Sequence, residues 1–239
     1  MKICTVVLTY DAPLYNFFDT VKRQYLESKG EDFLFVYNGV DTSKHNLPNK
    51  TYNYHSEVYH PSGIPVMLDK FIQVAKDGLL QNYDYVIRVN SSTFVNTDVV
   101  KEILKPHSKQ LYMGFYHPDW NFCSGACTVY SKDVLECLVC NHSRINRHQE
   151  DDVAIGNLLR FFGIQKTFLD RACFESHIQD THITTPPLEE IAEAIKKPQI
   201  RIRNNSNREV IDVGIWNHIA QLTLNRRFDF PVTQSKILL

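Results

Sequence analysis

A chain of 239 residues, 43% hydrophobic and 22% charged, is long enough for one substantial core and has the composition of an ordinary globular protein. A net charge of −1 gives no electrostatic basis for holding nucleic acid or an anionic membrane. No apolar run approaches the roughly 20 residues that cross a bilayer, so no membrane span is expected.

The opening Met1-Lys-Ile-Cys-Thr-Val-Val-Leu-Thr9 is too short and too β-branched for a signal peptide. It reads as a first strand over 3–9, and the expected location is the cytoplasm, as for a soluble protein of viral or microbial origin. Helical periodicity follows over 14–28, then a strand over 33–37. Two loops rich in Asn, His, Ser and Pro, 41–49 and 55–63, are candidates for the rim of a site. A helix is predicted over 66–80, strands over 85–89, 111–115 and 129–131, and helices over 132–140 and 153–162. Ser131 and the run Glu150-Asp151-Asp152 stand where N-caps belong. Beyond Thr184-Thr-Pro-Pro187 the pattern gives a helix, an extended basic segment from Lys196 to Arg203, and a last helix around 213–224. Strands alternating with helices predict an α/β architecture, a mixed central sheet flanked by helices. Residues 1–186 are expected to form one domain, with 187–239 as an extension packed on it.

In open α/β sheets ligands bind beyond the carboxyl ends of the strands. Three polar clusters fall there: Thr9-Tyr10-Asp11, Tyr37-Asn38-Gly39 and Asn90-Ser91-Ser92. Of the six cysteines, Cys123, Cys127, Cys137 and Cys140 have a spacing that would permit a zinc site. Cys137 and Cys140, however, lie three apart on a predicted helix among Leu135, Leu138 and Val139. They read as buried thiols acting as small hydrophobes.

Two segments carry a resemblance. Tyr85-Val-Ile-Arg-Val-Asn-Ser-Ser-Thr-Phe-Val-Asn96 is similar to the Arg-x-Asp-Asp-Asp-x-Phe-Val-Asn motif of the Fringe and β-1,3-glycosyltransferase families. Ser124-Gly-Ala-Cys-Thr-Val-Tyr-Ser-Lys-Asp-Val134, with Glu150-Asp-Asp-Val-Ala-Ile-Gly156, resembles the later motifs of the same families. The resemblance implies a GT-A-type fold and transfer of a sugar from a nucleotide-sugar, most simply a UDP-sugar, to a glycan acceptor. It implies Asp152 as the base, with Asp151 beside it as fallback; on the residues alone, the same acids merely charge a helix start. Where those families hold a divalent ion with three acids, this chain has Asn90, Ser91 and Ser92, whose neutral oxygens are poor ligands for Mg²⁺ or Mn²⁺. The core-2 branching and peptide-xylosyltransferase type, which works without metal and meets the diphosphate with carboxy-terminal basic residues, fits that departure. No cofactor is therefore expected; Mn²⁺ or Mg²⁺ would return only with ligands elsewhere, at His177 or Asp98.

The donor-binding set expected on these grounds is Thr9, Tyr10, Tyr37, Asn38, Lys70, Arg88, Asn90, Ser91, Ser92, Arg201 and Arg203. Lys70 corresponds to a lysine of the resembled families. Arg88, inside an apolar strand, must find an anionic partner. Alternation puts Arg201 and Arg203 on one face of an extended segment, with Arg208 beyond them. The expected acceptor side is Trp120, a plane for stacking on a sugar or else a core residue, and Gly125, which lets a substrate near the backbone. The reading is an inverting, metal-independent glycosyltransferase. A retaining enzyme and a non-catalytic sugar- or nucleotide-binding relative of the fold are the alternatives.

Overall fold

The computed structural model describes residues 1–39, 50–54, 64–176, 184–205 and 207–230. The candidate rim loops 41–49 and 55–63, and both His177 and His182, lie outside the described residues.

Strand β1 (Ile3–Leu8) is buried along its whole length, as a strand covered on both faces must be. It is the hub of a seven-stranded sheet. Parallel partners on one side are β2 (Asp32–Asn38) and then β3 (Thr51–Tyr54). On the other side lies parallel β4 (Tyr85–Asn90), in a register that sets Leu8 opposite Asn90. Beyond it come antiparallel β7 (Cys127–Ser131), then β6 (Tyr112–Gly114) and β8 (Lys166–Phe168). A second sheet of three strands is formed by β5 (Thr93–Val95), β10 (Gln199–Asn204) and β9 (Ala172–Ser176), with β10 in the middle. The segment after residue 187 thus supplies the central strand of the small sheet.

Side chains of β1 and β4 alternate between two cores. Ile3, Val7, Ile87 and Val89 face α1 (Pro13–Ser28), α7 (Arg208–Leu224) and the small sheet, around the buried Trp216. Cys4, Val6, Leu8 and Val86 face α2 (Ile64–Lys76), α4 (Lys132–Cys140) and α5 (Asp151–Phe161). Helix α1 starts cleanly because Pro13 holds a helical φ where its missing N–H costs nothing. Two short helices, α3 (Thr97–Leu104) and α6 (Leu188–Ala194), pack Val100, Leu104, Ile191 and Ala194 onto the first core. The architecture is the expected α/β one, a mixed central sheet flanked by helices.

Several local expectations are corrected. Ser131 occupies the N-cap position of α4, but its hydroxyl donates to Asp133 (2.5 Å) and accepts from the Leu111 N–H (2.9 Å), so it makes no cap. Asp151 and Asp152 lie inside the first turn of α5 rather than before it. Asn96 caps α3, accepting from the Val99 N–H at 3.3 Å, while Asp98, a fallback metal ligand in the sequence reading, pairs with Lys29 at 2.5 Å. Helix α7 begins five residues before the predicted start. Cys140, read as a buried thiol, is exposed, and Cys137 is only partly buried, whereas Cys4, Cys123 and Cys127 are buried. All six thiols are free.

Candidate functional site

At the carboxyl ends of β1 and β4 a cleft of about 350 Å³ opens between the large sheet, the small sheet and the start of α7. Leu8, Tyr10, Tyr15, Met67, Asn90, Ser91 and Ser92 line it together with three cations, Arg201, Arg203 and Arg208. Arg201 and Arg203 come from alternate positions of β10, whose intervening Ile200 and Ile202 are fully buried. Of the expected donor set, Tyr10, Asn90, Ser91, Ser92, Arg201 and Arg203 meet here.

Behind the cleft is a buried charged network that sequence reasoning missed. Asp19 of α1 accepts hydrogen bonds from Thr9 (2.6 Å), Ser91 (2.8 Å) and Tyr37 (3.1 Å) hydroxyls. Burial raises its carboxyl above the usual range, against the pull of Lys22 and the three hydroxyls. One turn along, Lys22 donates to the backbone carbonyls of Ser91 (2.9 Å) and Asn90 (3.2 Å). Burial lowers its ammonium to about 8. Thr9 and Tyr37 are therefore placed as supports of Asp19 rather than on the cleft wall. Lys70 is likewise sealed, at 0% exposure: its ammonium donates to the Thr9 carbonyl (2.7 Å) and lies 4.0 Å from the centre of the Tyr10 ring. Desolvation drops it to about 7. Asn38 ends β2 beside Tyr54, its side-chain oxygen buried with no hydrogen-bond partner among the described residues.

The cleft's oxygens bear on whether a divalent ion fits. Ser91 Oγ is committed to Asp19, and Ser92 Oγ accepts from Arg201 at 2.8 Å. The carbonyls of Asn90 and Ser91 already accept from an ammonium. Of the side-chain oxygens at these three positions, only Asn90 Oδ1 lacks a hydrogen-bond partner, and three guanidiniums face the same space. This donor set does not suit Mg²⁺ or Mn²⁺, which call for clustered carboxylates. Among the described residues no three His, Cys, Asp or Glu side chains converge as a metal site. The guanidiniums themselves are held in place. Arg201 is tied to Ser92, to Thr93 (3.3 Å) and to Glu175 (3.1 Å). Arg208 donates to Asp212 (2.8 Å) and Tyr15 (3.2 Å), and its Nη2 has no partner among the described residues.

A second constellation stands at the start of α5. Arg88, 1% exposed, projects from the same face of β4 as Asn90 and forms an ion pair with Asp151. This sets it against Asp151 rather than on the cleft wall, and its Nε and Nη1 have no hydrogen-bond partner among the described residues. Burial alone would lower its pKa, but Asp151 and Asp152 together raise it, so it stays charged. Asp152 accepts from the Gly125 N–H and the Val153 N–H, each at 2.9 Å. Burial lifts its carboxyl above the ordinary range, with the Asp151 charge adding to the rise and the Gly125 N–H and Arg88 opposing it. A carboxylate so raised is better matched to taking a proton near neutral pH. Gly125 thus sits over the carboxylate: a Cβ there would stand 3.4 Å from Asp152 Cβ and 3.5 Å from Arg88 Nη1. Trp120 is not a core residue. It is 36% exposed and stacks flat on Phe122, centroids 5.1 Å apart.

Asp19, Lys22 and Asp212 are charged residues behind the cleft that the sequence did not single out. One signal existed: Lys22 falls at the i+4 position after Phe18 and the i−4 position before Leu26, on the apolar stripe of its helix.

No protein-family model and no curated protein matches the chain. Among solved structures it is similar to the crystal structure of a glycosyltransferase involved in the glycosylation of the major capsid of PBCV-1. The two are 12% identical, the match covers 89% of this chain and 98% of that one, and the TM-score is 0.53. No described helix is long and apolar enough to cross a membrane. The likeness singles out neither the Fringe nor the core-2 branching type; what it establishes is the fold, that of a single GT-A-like glycosyltransferase domain.

Proposed function

We propose that the protein transfers a sugar from a nucleotide-sugar to a hydroxyl of a glycan or protein-linked acceptor, with inversion and without a metal ion. The observation that carries this reading is the triple-arginine cleft at Asn90-Ser91-Ser92. Transfer breaks the bond between the anomeric carbon and the diphosphate oxygen, and the departing diphosphate keeps the bonding electrons. Its added charge falls to Arg201, Arg203 and Arg208, whose planar guanidiniums suit phosphate oxygens. Asn90 Oδ1 and the ring of Tyr10 are left for the nucleoside. The acceptor hydroxyl forms the new bond at the anomeric carbon as its proton passes to Asp152. A UDP-sugar is the donor that the sequence resemblance favours.

The non-catalytic alternative draws on one specific observation: both carboxylates at the head of α5 already have partners. The first test is the thermal shift of the purified protein with UDP, GDP, CMP and dTDP compounds, each with Mn²⁺ and with EDTA. Stabilisation by one nucleotide that survives EDTA is expected. Stabilisation only with Mn²⁺ would overturn metal independence, and none at all would favour another function for the fold. Anomeric configuration of the product, read by NMR, decides inversion against retention.

A further inference from the structure

A second cavity, of about 560 Å³, lies between the loop after β6 and the far half of α5. That volume is within the range of built ligand sites and exceeds the arginine cleft. Its walls include Tyr112, Tyr116, Asn121, Gly156, Arg160 and Lys166, and no carboxylate. Arg160 makes no ion pair among the described residues, and neither does Lys166. The Lys166 ammonium donates to the Trp120 carbonyl and stands 4.3 Å from the centre of the Tyr116 ring. Asp119, on the same loop, is exposed and turned to His117 at 3.2 Å. The wall therefore carries two uncompensated positive charges.

Exposed aromatic rings lie on the adjoining residues: Trp120 precedes the lining Asn121, and Phe168 packs on the lining Tyr116. Trp120, fixed through its carbonyl to Lys166, lies flat on Phe122. Phe168 is 50% exposed and meets Tyr116 edge-on at 5.6 Å. Rigid rings with one face open give contact area at little entropic cost, which suits the C–H faces of sugars. The location matters as much. Gly156 lies one turn beyond Asp152 on α5, and Phe122 packs where a side chain at Gly156 would be, 2.4 Å from its Cβ. Three residues past Phe122, the Gly125 N–H holds the Asp152 carboxylate. Segment 122–125 thus touches both the helix that lines the cavity and the proposed base.

We infer that this cavity is a subsite for an anionic oligosaccharide, with sugar faces on Trp120 and Tyr116 and acid groups on Arg160 and Lys166. Only the role of that saccharide, as the acceptor to be extended, rests on the transferase reading. A neutral chain would leave both cations without counter-charges. The nucleotide has its own cations in the arginine cleft.

Isothermal titration of the whole protein tests this with tetragalacturonate, a sulfated tetrasaccharide and neutral cellotetraose. In parallel it is titrated with whichever of UDP, GDP, CMP or dTDP stabilises it. At least one anionic tetrasaccharide should bind 10-fold or more tightly than cellotetraose and weaken as salt rises. Tetragalacturonate alone would assign a carboxylate ligand, the sulfated probe alone a sulfate ester. The R160Q/K166Q double variant should lose 10-fold or more of that affinity and W120A a smaller factor, with nucleotide affinity unchanged. These are surface changes, and thermal unfolding checks that the variants remain folded. The inference is overturned if cellotetraose binds equally well, if the double variant binds as before, if nucleotide affinity falls with it, or if no saccharide binds at millimolar concentration. Saccharide binding as expected, in a protein that holds no nucleotide, would sink the transferase reading while the subsite stood.

Discussion

Asp19 and Asp152 are two burial-raised carboxyls in one molecule, and their surroundings divide their work. Asp19 sits in a closed shell of three hydroxyls with Lys22 one turn away, beneath the floor of the cleft. Asp152 stands half-buried at a helix start, holding two backbone N–H groups and flanked by an Arg88–Asp151 pair. Every donor to Asp19 comes from a segment it fastens: the residue after β1, β2 itself and the turn after β4. The donors to Asp152 are backbone groups that persist whatever its side chain does. One carboxylate therefore ties side chains of several elements together, and the other is held by its own helix start and the Gly125 backbone.

The sharpest way to break this contrast is Asp152→Asn. On the proposed mechanism, turnover falls by about 10²–10⁴-fold, with nucleotide affinity and melting temperature little changed. Rate measurements beside calorimetry check both halves. The mirror experiment is Asp19→Ala, which leaves Lys22 buried without a counter-charge. It should cost about 3–5 kcal/mol of stability, read by urea unfolding. A loss below about 1 kcal/mol would mean that the network behind the cleft is no tie at all. Gly156→Ala probes the packing of Phe122 against α5, one turn beyond Asp152. With its Cβ 2.4 Å from Phe122 Cβ, the added methyl should destabilise by about 1–3 kcal/mol.

The smallest effect is in pH. Lys70 and Lys22 have folded-state values of about 7 and 8, well below those of unfolded lysine. Between pH 7 and 9 the unfolded chain therefore binds more protons, and stability rises with pH. Above pH 9 the buried Cys4, Cys123 and Cys127, raised to about 12, reverse the slope, because the folded chain then keeps more protons. Urea midpoints across pH 6–10 should show the maximum, and Lys70→Met should flatten the rise that precedes it.

The sheet and its polar edge were legible because strand ends are announced by composition. Asn90-Ser91-Ser92 follows an apolar run, and Arg201 and Arg203 alternate with Ile200 and Ile202. Short strands were not legible: β5, β8 and β9 are three to five residues long and exist through pairing with distant partners. Nor were Arg88's partner and the burial of Asp19. A charged residue every few positions is what an exposed helix shows too, and only tertiary packing separates the cases. Trp120 was undecidable for a similar reason, since a tryptophan in a loop has no periodicity to place it.

The hydrogen bond from Ser91 to Asp19 also fixes a direction of change. An acid at position 91 would set its carboxylate against Asp19 at about the present 2.8 Å separation, inside a sealed space. Two such groups cannot both ionise. An acid at position 92 would meet Arg201 and close into an ion pair before any ion could claim it. Acids at these positions would thus fail to create a cation site unless α1 and β10 changed with them. The neutral motif is held in place by its neighbours, so no single acidic substitution there would make a cation site.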